Sequence, residues 1–186
     1  MNKKHLETIA ILDFGSQYTQ LIARRIRENN IYSEIFPFDI DIKRIKDKNI
    51  KAIILSGGPS SVYDDDAPKL NSELLSLKIP ILGICQGMQL MGVKFGSKLV
   101  KVKNHIRKNH KLINLSKEEF PKETNSYHQY SLKNCPKNFF ITTKSLDGNI
   151  ESIKHKVLPW EGWMWHPERD NKINKINNLR LKKIFG

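Results

Sequence analysis

Cysteine is almost missing from this sequence: Cys85 and Cys135 are the only two in 186 residues. That count excludes a disulfide framework and a cysteine-rich metal cluster, and because Cys85 sits in a motif that needs a free thiol, no disulfide and no metal site are expected. Long apolar runs are missing too. No stretch of about 18 or more uninterrupted apolar residues occurs, which excludes a membrane-spanning helix. Met1-Asn2-Lys3-Lys4-His5 leads into polar residues with no signal-like apolar block, so a cytoplasmic protein is expected. Acidic residues are scarce beside basic ones, 19 against 32, giving a net charge of +13. Such an excess can draw nucleic acid, but the lysines are scattered, aromatics are not interleaved with them and no nucleic-acid motif is present. A composition biased to Lys, Ile and Asn accounts for the charge. Only the basic run Lys98 to Lys111 is left as a surface for an anionic substrate or acidic partner.

The chain does carry apolar strands alternating with helical segments. Thr8 to Leu12 is a short apolar run closed by Asp13, and amphipathic spacing follows through Leu21, Ile22 and Ile26. Tyr32 to Phe36 reads as a strand, Ile40 to Lys48 as a short helix, Lys51 to Leu55 as a strand, Ile81 to Ile84 as a buried strand, and Met88 to Phe95 as a helix. Continuous apolar strands separated by helices imply a mainly parallel sheet covered on both faces. Beyond Gly96 the segments shorten and alternate, as in Lys98 to Val102, Phe139 to Thr143 and Ile150 to Ile153, which predicts antiparallel strands added to that sheet. Gly162 to Trp165 is the last predicted strand and Asn171 to Phe185 the closing helix. No repeat or long linker interrupts the pattern, and 39% hydrophobic content suffices for one core, so residues 1–186 read as a single α/β sandwich domain with a mixed, mainly parallel sheet.

Three short segments carry chemistry. Gly83-Ile84-Cys85-Gln86-Gly87 lies between a buried strand and a helix, and its glycines leave room for a nucleophile on a sharp strand-to-helix turn. The helix N-terminus beside the sulfur favours the thiolate. A lone cysteine is otherwise a small buried hydrophobe, a reading the flanking glycines weaken. Trp165-His166-Pro167-Glu168 supplies a base and a carboxylate to orient it, and a strand ending at Trp165 delivers His166 to the sheet edge that holds Cys85. Ser56-Gly57-Gly58-Pro59-Ser60 again follows a strand. It is either a tight turn or a close approach to substrate, in which the backbone N–H groups of Gly58 and Gln86 bind a developing oxyanion. A phosphate loop is not indicated, since its Lys and Ser/Thr are missing.

These elements, in this order, resemble the class I glutamine amidotransferase family. Ile11 to Arg25, Ile54 to Tyr63 and Pro80 to Met91 are similar to the glutaminase domains of GMP synthetases. Thr124 to Gln129, Leu146 to Glu151 and Trp163 to Arg169 look more like the related γ-glutamyl hydrolases, and the Arg169-Asp170-Asn171 that follows Glu168 departs from the valine and His-Thr pair usual in GMP synthetases. The resemblance implies Cys85 as nucleophile, His166 as base and then acid, Glu168 as orienting carboxylate, Gly58 and Gln86 as oxyanion donors, and Gln89 as a substrate contact. The superfamily also places His128, with Tyr127, Gln129 and Tyr130, beside the amino-acid end of the substrate, although His128 reads equally well as a solvated loop residue. His105 and His110 are expected at the surface in the basic segment, with contact to a phosphate on a larger substrate as the alternative, and Cys135 in a loop without a role.

The expected reaction is hydrolysis of the γ-amide of glutamine through a γ-glutamyl thioester, with no cofactor required and ammonia passed to a separate synthetase subunit. A stand-alone hydrolase of substituted γ-glutamyl amides is the alternative. A non-catalytic regulatory homologue is the third reading, which a missing Cys, His or Glu would have favoured.

Overall fold

A strand that is apolar at every position has two faces to bury, and that requirement organises this molecule. The computed structural model describes residues 8–58, 62, 68–171 and 174–185. Pro59, Ser60, Ser61 and Tyr63 of the motifs above lie outside the described residues.

The first part of the chain runs β1 (Thr8–Asp13), α1 (Thr19–Arg27), β2 (Tyr32–Pro37), α2 (Ile42–Asp47), β3 (Ile50–Leu55), α3 (Ser72–Ser76), β4 (Ile81–Ile84) and α4 (Gln86–Lys94). There follow β5 (Leu99–Lys101), β6 (Ile106–Asn114), β7 (Glu123–Tyr127), β8 (Tyr130–Leu132), β9 (Phe139–Ser145), β10 (Ile150–His155), β11 (Trp160–Trp163) and α5 (Lys175–Phe185). Nine strands form one sheet in the order β2-β1-β3-β4-β11-β10-β9-β6-β7. The neighbours from β2 to β11 are parallel, and those from β11 to β7 antiparallel.

Successive side chains of a strand point to opposite faces, so each central strand feeds two cores. Ala10, Leu12, Ile53, Leu55 and Ile81 join one cluster with Ile45 of α2, Leu74 of α3 and Met88 and Met91 of α4. Ile9, Ile11, Ala52, Ile54, Leu82 and Ile84 join the other with Ile22, Ala23 and Ile26 of α1 and Leu181 of α5. In α1 the four buried residues, Thr19, Ile22, Ala23 and Ile26, form one stripe, and Arg24, Arg25 and Arg27 fill the last turn, where the helix dipole favours cations. Asp41 and Asn71 cap α2 and α3, accepting from the backbone N–H of Lys43 at 2.7 Å and of Glu73 at 2.9 Å. Among the described residues no helix is long and apolar enough to cross a membrane.

The parallel half follows the expectation closely. The remainder differs in three ways. Lys98 to Val102 does not extend the main sheet: β5 pairs only with β8, in a separate two-stranded ribbon. The last strand is Trp160–Trp163, two residues earlier than Gly162 to Trp165, because Met164 leaves the β4 ladder and donates to the Glu151 carbonyl at 2.8 Å. The closing helix begins at Lys175.

Candidate active site

β4 and β11 are parallel neighbours with Ile84 opposite Trp163, so the segments leaving their C-terminal ends meet at one edge of the sheet. The Cys85 backbone N–H donates to the Trp163 carbonyl at 2.7 Å. Cys85 itself takes φ 52° and ψ −107° and caps the N-terminus of α4, a left-handed conformation that side-chain-bearing residues avoid and that costs on the order of 1–3 kcal/mol. The turn is tight enough that a Cβ on Gly83 would lie 2.6 Å from the Gly87 carbonyl carbon, and one on Gly87 would collide with the Leu55 backbone. Both glycines are therefore steric requirements of the elbow that holds the thiol. Gly58 is pressed in the same way against the Gln86 side chain and the Phe14 carbonyl, which brings the Ser56–Gly58 turn directly beside the elbow.

His166 follows β11 by three residues and is buried, at 4% exposure. Its Nδ1 lies 2.6 Å from Oε1 of Glu168, which a 3₁₀ turn over Pro167–Arg169 folds back toward the ring. Burial works against a charged imidazole here, but the charges of Glu168 and Cys85 and hydrogen bonds to both outweigh it and lift the His166 pKa to about 10. The positive form is thus favoured while the sulfur and the carboxylate flank it.

Asn125 of β7, which no motif singled out, fixes the His166 backbone. Its Oδ1 accepts from the His166 N–H at 2.9 Å, and its Nδ2 donates to the His166 carbonyl at 2.8 Å and to Asp170 Oδ1 at 2.8 Å. One amide thereby grips the backbone on both sides of His166.

Over this edge opens a cavity of about 310 Å³ lined by Cys85, His166, Gly57, Gly58, Tyr18, Tyr127 and Arg169 among others, a size at the small end of ligand pockets. The Arg169 guanidinium lies between two rings, 3.8 Å from the centre of Tyr18 and 4.1 Å from that of Tyr127, and Tyr127 sets its edge against His166 with centroids 5.8 Å apart. Sequence reasoning missed Tyr18 and Arg169. The signal available was an arginine directly after the His-Pro-Glu segment, which ends the Trp163 to Arg169 stretch similar to γ-glutamyl hydrolases and departs from the GMP synthetase pattern.

The structure thus gathers Cys85, His166, Glu168, Gly58, Gln86 and Tyr127 at one place. Gln89, His128, Gln129 and Tyr130, the other expected substrate contacts, are not among the residues lining this cavity. Gln89 is buried and donates through Nε2 to the Tyr130 carbonyl at 2.8 Å. Gln129 is exposed, with its carbonyl accepting from the Val102 N–H at 2.8 Å. His128 is neither solvated nor in this cavity: it is buried at 3% exposure, against His105. The expectation of surface positions for His105 and His110 also fails. His105 is buried, at 2% exposure, and the His110 side chain is only 15% exposed, because bulged strands turn both inward against Glu151. Cys135 is half-buried, its Sγ 3.3 Å from the Phe139 carbonyl, and burial pushes its thiol pKa up.

An α/β sheet with a thiol on a strand-to-helix elbow, facing a histidine held by a carboxylate, has the parts for covalent attack on a carbonyl. A family model for glutamine amidotransferase class-I matches residues 10–184, and the chain belongs to that family. It is 42% identical over 189 aligned residues to the GMP synthase [glutamine-hydrolyzing] of Brachyspira hyodysenteriae, covering 95% of this chain and 36% of that protein. The corresponding protein of Lactobacillus acidophilus is 41% identical, with 96% of this chain and 36% of that one covered. The chain therefore spans about a third of the length of these curated relatives. Among solved structures, a putative GMP synthase subunit from Thermoplasma acidophilum superposes with a TM-score of 0.76 at 26% identity, covering 97% of this chain and 92% of that one. A glutamine amidotransferase from Thermotoga maritima shares the fold, with a TM-score of 0.69 over 96% of this chain and 84% of that one.

Proposed function

We propose that the chain hydrolyses the side-chain amide of glutamine and supplies the ammonia to the synthetase part of a GMP synthase. The observation that carries this reading is the elbow cysteine beside a buried His166–Glu168 pair 2.6 Å apart. The Cys85 thiolate attacks the amide carbon. Backbone N–H groups of Gln86 and Gly58 take the negative oxygen of the tetrahedral intermediate. His166, already protonated, gives its proton to the departing nitrogen, and ammonia leaves a γ-glutamyl thioester on the sulfur. Water then attacks the thioester carbon while His166 takes back a proton, and glutamate departs as the thiolate is restored. Glu168 holds the imidazole in register and balances its charge through both steps. Arg169, clamped between Tyr18 and Tyr127 at the cavity wall, is a cation placed to meet the α-carboxylate of the substrate.

The synthetase reading is supported by similarity to GMP synthases along 95% of the chain, including the segments after Gly96. The experiment measures kcat/KM for glutamine and for several substituted γ-glutamyl amides, with and without the synthetase part of such a GMP synthase. Slow glutamine hydrolysis that rises when the synthetase part is added is the expected outcome. Brisk cleavage of a bulky amide, indifferent to that addition, establishes a stand-alone γ-glutamyl hydrolase instead. No turnover of any of them, with or without the synthetase part, leaves a binding role only.

A further inference from the structure

Behind the active-site strand lies a second cluster of side chains that the reaction does not use. Glu151 is fully buried, and its two oxygens have no hydrogen-bond partner among the described residues. Around it stand three imidazoles at distances longer than a good hydrogen bond: His105 Nδ1 at 3.4 Å and His128 Nε2 at 3.5 Å from Oε1, and His110 Nε2 at 3.3 Å from Oε2. His105 Nδ1 and His128 Nε2 are 3.2 Å apart. His105 Nδ1, His128 Nε2 and Glu151 Oε1 thus form a nearly equilateral triangle with edges of 3.2 to 3.5 Å. Donors held about 2.0–2.1 Å from a common tetrahedral centre are separated by about 3.3–3.4 Å.

The far side of each ring is committed as well. His105 Nε2 lies 2.9 Å from Asp147 Oδ2, and His128 Nδ1 lies 3.1 Å from the Tyr130 carbonyl. A neutral imidazole has one N–H. If each ring spends it on that oxygen, His105 Nδ1 and His128 Nε2 turn their lone pairs toward each other and toward an anionic carboxylate. Three acceptors facing inward repel one another unless a cation lies between them or one ring takes up a further proton, which Glu151 and Asp147 favour at His105, and a ring whose other nitrogen binds a carboxylate or carbonyl is the usual outer support of a metal-ligating histidine.

The backbone is bent to build this cluster. His105 and His110 are an odd number of positions apart and would face opposite ways on a regular strand. The β6–β7 register shifts between Ile106 and Lys108, with Arg107 at φ 53°, and one extra residue turns both histidines to the same side. In β10 the register against β9 shifts between Ile150 and Ser152, at Glu151.

The geometry points to a binding site for a divalent transition-metal ion, zinc by its donor set, ligated by His105 Nδ1, His128 Nε2 and Glu151 Oε1, with His110 beside the second carboxylate oxygen. Two or three imidazoles and one carboxylate suit zinc better than magnesium or calcium, which take oxygen ligands. The site is structural, because it ties β6, β10 and the end of β7 together. Ser126 points to the cluster, donating to the His105 carbonyl at 2.7 Å, while its neighbours Asn125 and Tyr127 reach His166 and the cavity. An ion here would hold the strand that positions the base without touching substrate.

The test uses untagged Cys85→Ser protein, so that zinc taken up by the active-site thiol is not counted. After incubation with zinc and gel filtration, about one zinc per chain is expected, together with a raised Tm. Cobalt in its place should give the visible absorption of a four-coordinate ion without a sulfur-to-metal band. Glu151→Gln and His128→Ala should lose the metal. Should either variant fail to fold, long-range ¹H–¹⁵N spectra of the Cys85→Ser protein decide, with the ring nitrogens of His105 and His128 shifting on zinc addition and those of His155 and His166 unmoved. No retained metal, uptake unchanged in a folded Glu151→Gln protein, or unmoved His105 and His128 signals would each overturn the proposal, whatever the outcome of the glutamine assays.

Discussion

The two halves of the sheet solve the problem of burial in opposite ways. In the parallel half the interior is mostly Ile, Leu, Ala and Met with a few aromatic rings, and backbone and side chain both follow from filling two faces. The antiparallel half buries Ser126, Ser131, Thr142, Thr143, Ser145, Glu151 and Ser152 together with His105 and His128. Its interior is knit by side-chain hydrogen bonds such as Ser152 Oγ to Thr142 and Thr143 at 2.6 and 2.7 Å. An apolar core tolerates substitution by shape, whereas a buried polar network depends on every member. The candidate active site straddles the boundary: the thiol and the His166–Glu168 pair follow β4 and β11 of the parallel half, and Asn125 and Tyr127, which grip the His166 backbone and pack against its ring, come from β7 of the other.

The largest effect expected of a single change is in the parallel half. Cys85→Ala should abolish glutamine hydrolysis, by roughly 10⁴-fold or more, with far-UV circular dichroism unchanged because little volume is lost. Measurable ammonia release from the purified variant would remove Cys85 from the nucleophile's role. Glu168→Gln should be roughly ten- to a hundredfold less damaging, because the carboxylate acts through His166. It should also change the pH profile. With a His166 pKa of about 10 against an ordinary value of 6.5, the charged pair and the stability it adds are fully present below about pH 6.5 and are lost as pH rises through 10. The alkaline limb of kcat/KM should therefore lie near pH 10 and move to lower pH in Glu168→Gln. An unmoved limb would show that the carboxylate does not set this ionisation.

Asn125→Ala tests whether the antiparallel half contributes geometry. Releasing both backbone groups of His166 should cost about a hundredfold in kcat, the penalty of a base displaced by about 1 Å, and leave KM for glutamine little changed. A loss confined to Tm would reduce Asn125 to a structural role. Arg169→Ala should have the smallest effect on turnover, raising KM for glutamine about tenfold at nearly constant kcat, as loss of one charge-assisted contact does. A fall in kcat with unchanged KM would place Arg169 nearer the reacting amide.

The same boundary marks how far the fold and site were legible in the sequence. β1, β3 and β4 stand out as uninterrupted apolar runs, and the Cys85 elbow and the His166–Glu168 pair stand out because each is local: a few consecutive residues impose a turn and a chemistry. β6 and β7 leave no such trace. Ile106 to Asn114 is mostly exposed and bulged at Arg107, which destroys the two-residue alternation, and Glu123 to Tyr127 buries Thr, Asn and Ser, residues that read as loop. Asn125 and the grouping of His105, His128 and Glu151 are products of strand pairing across tens of residues, and periodicity does not carry that information. His105 falls in a lysine-rich stretch, and its neighbours' exposure was extended to it.

The left-handed backbone at Cys85 has a consequence for how the protein tolerates change. A position held at φ 52° and ψ −107° is one that glycine occupies without strain, so the residue proposed as the nucleophile is among the least suited to its place. Cys85→Gly should melt at a higher temperature than Cys85→Ala, even though glycine has more chain entropy to lose on folding. On the proposed mechanism the chain is thus tuned below its own optimum of durability at the point of reaction, and selection for heat resistance alone would favour loss of the thiol.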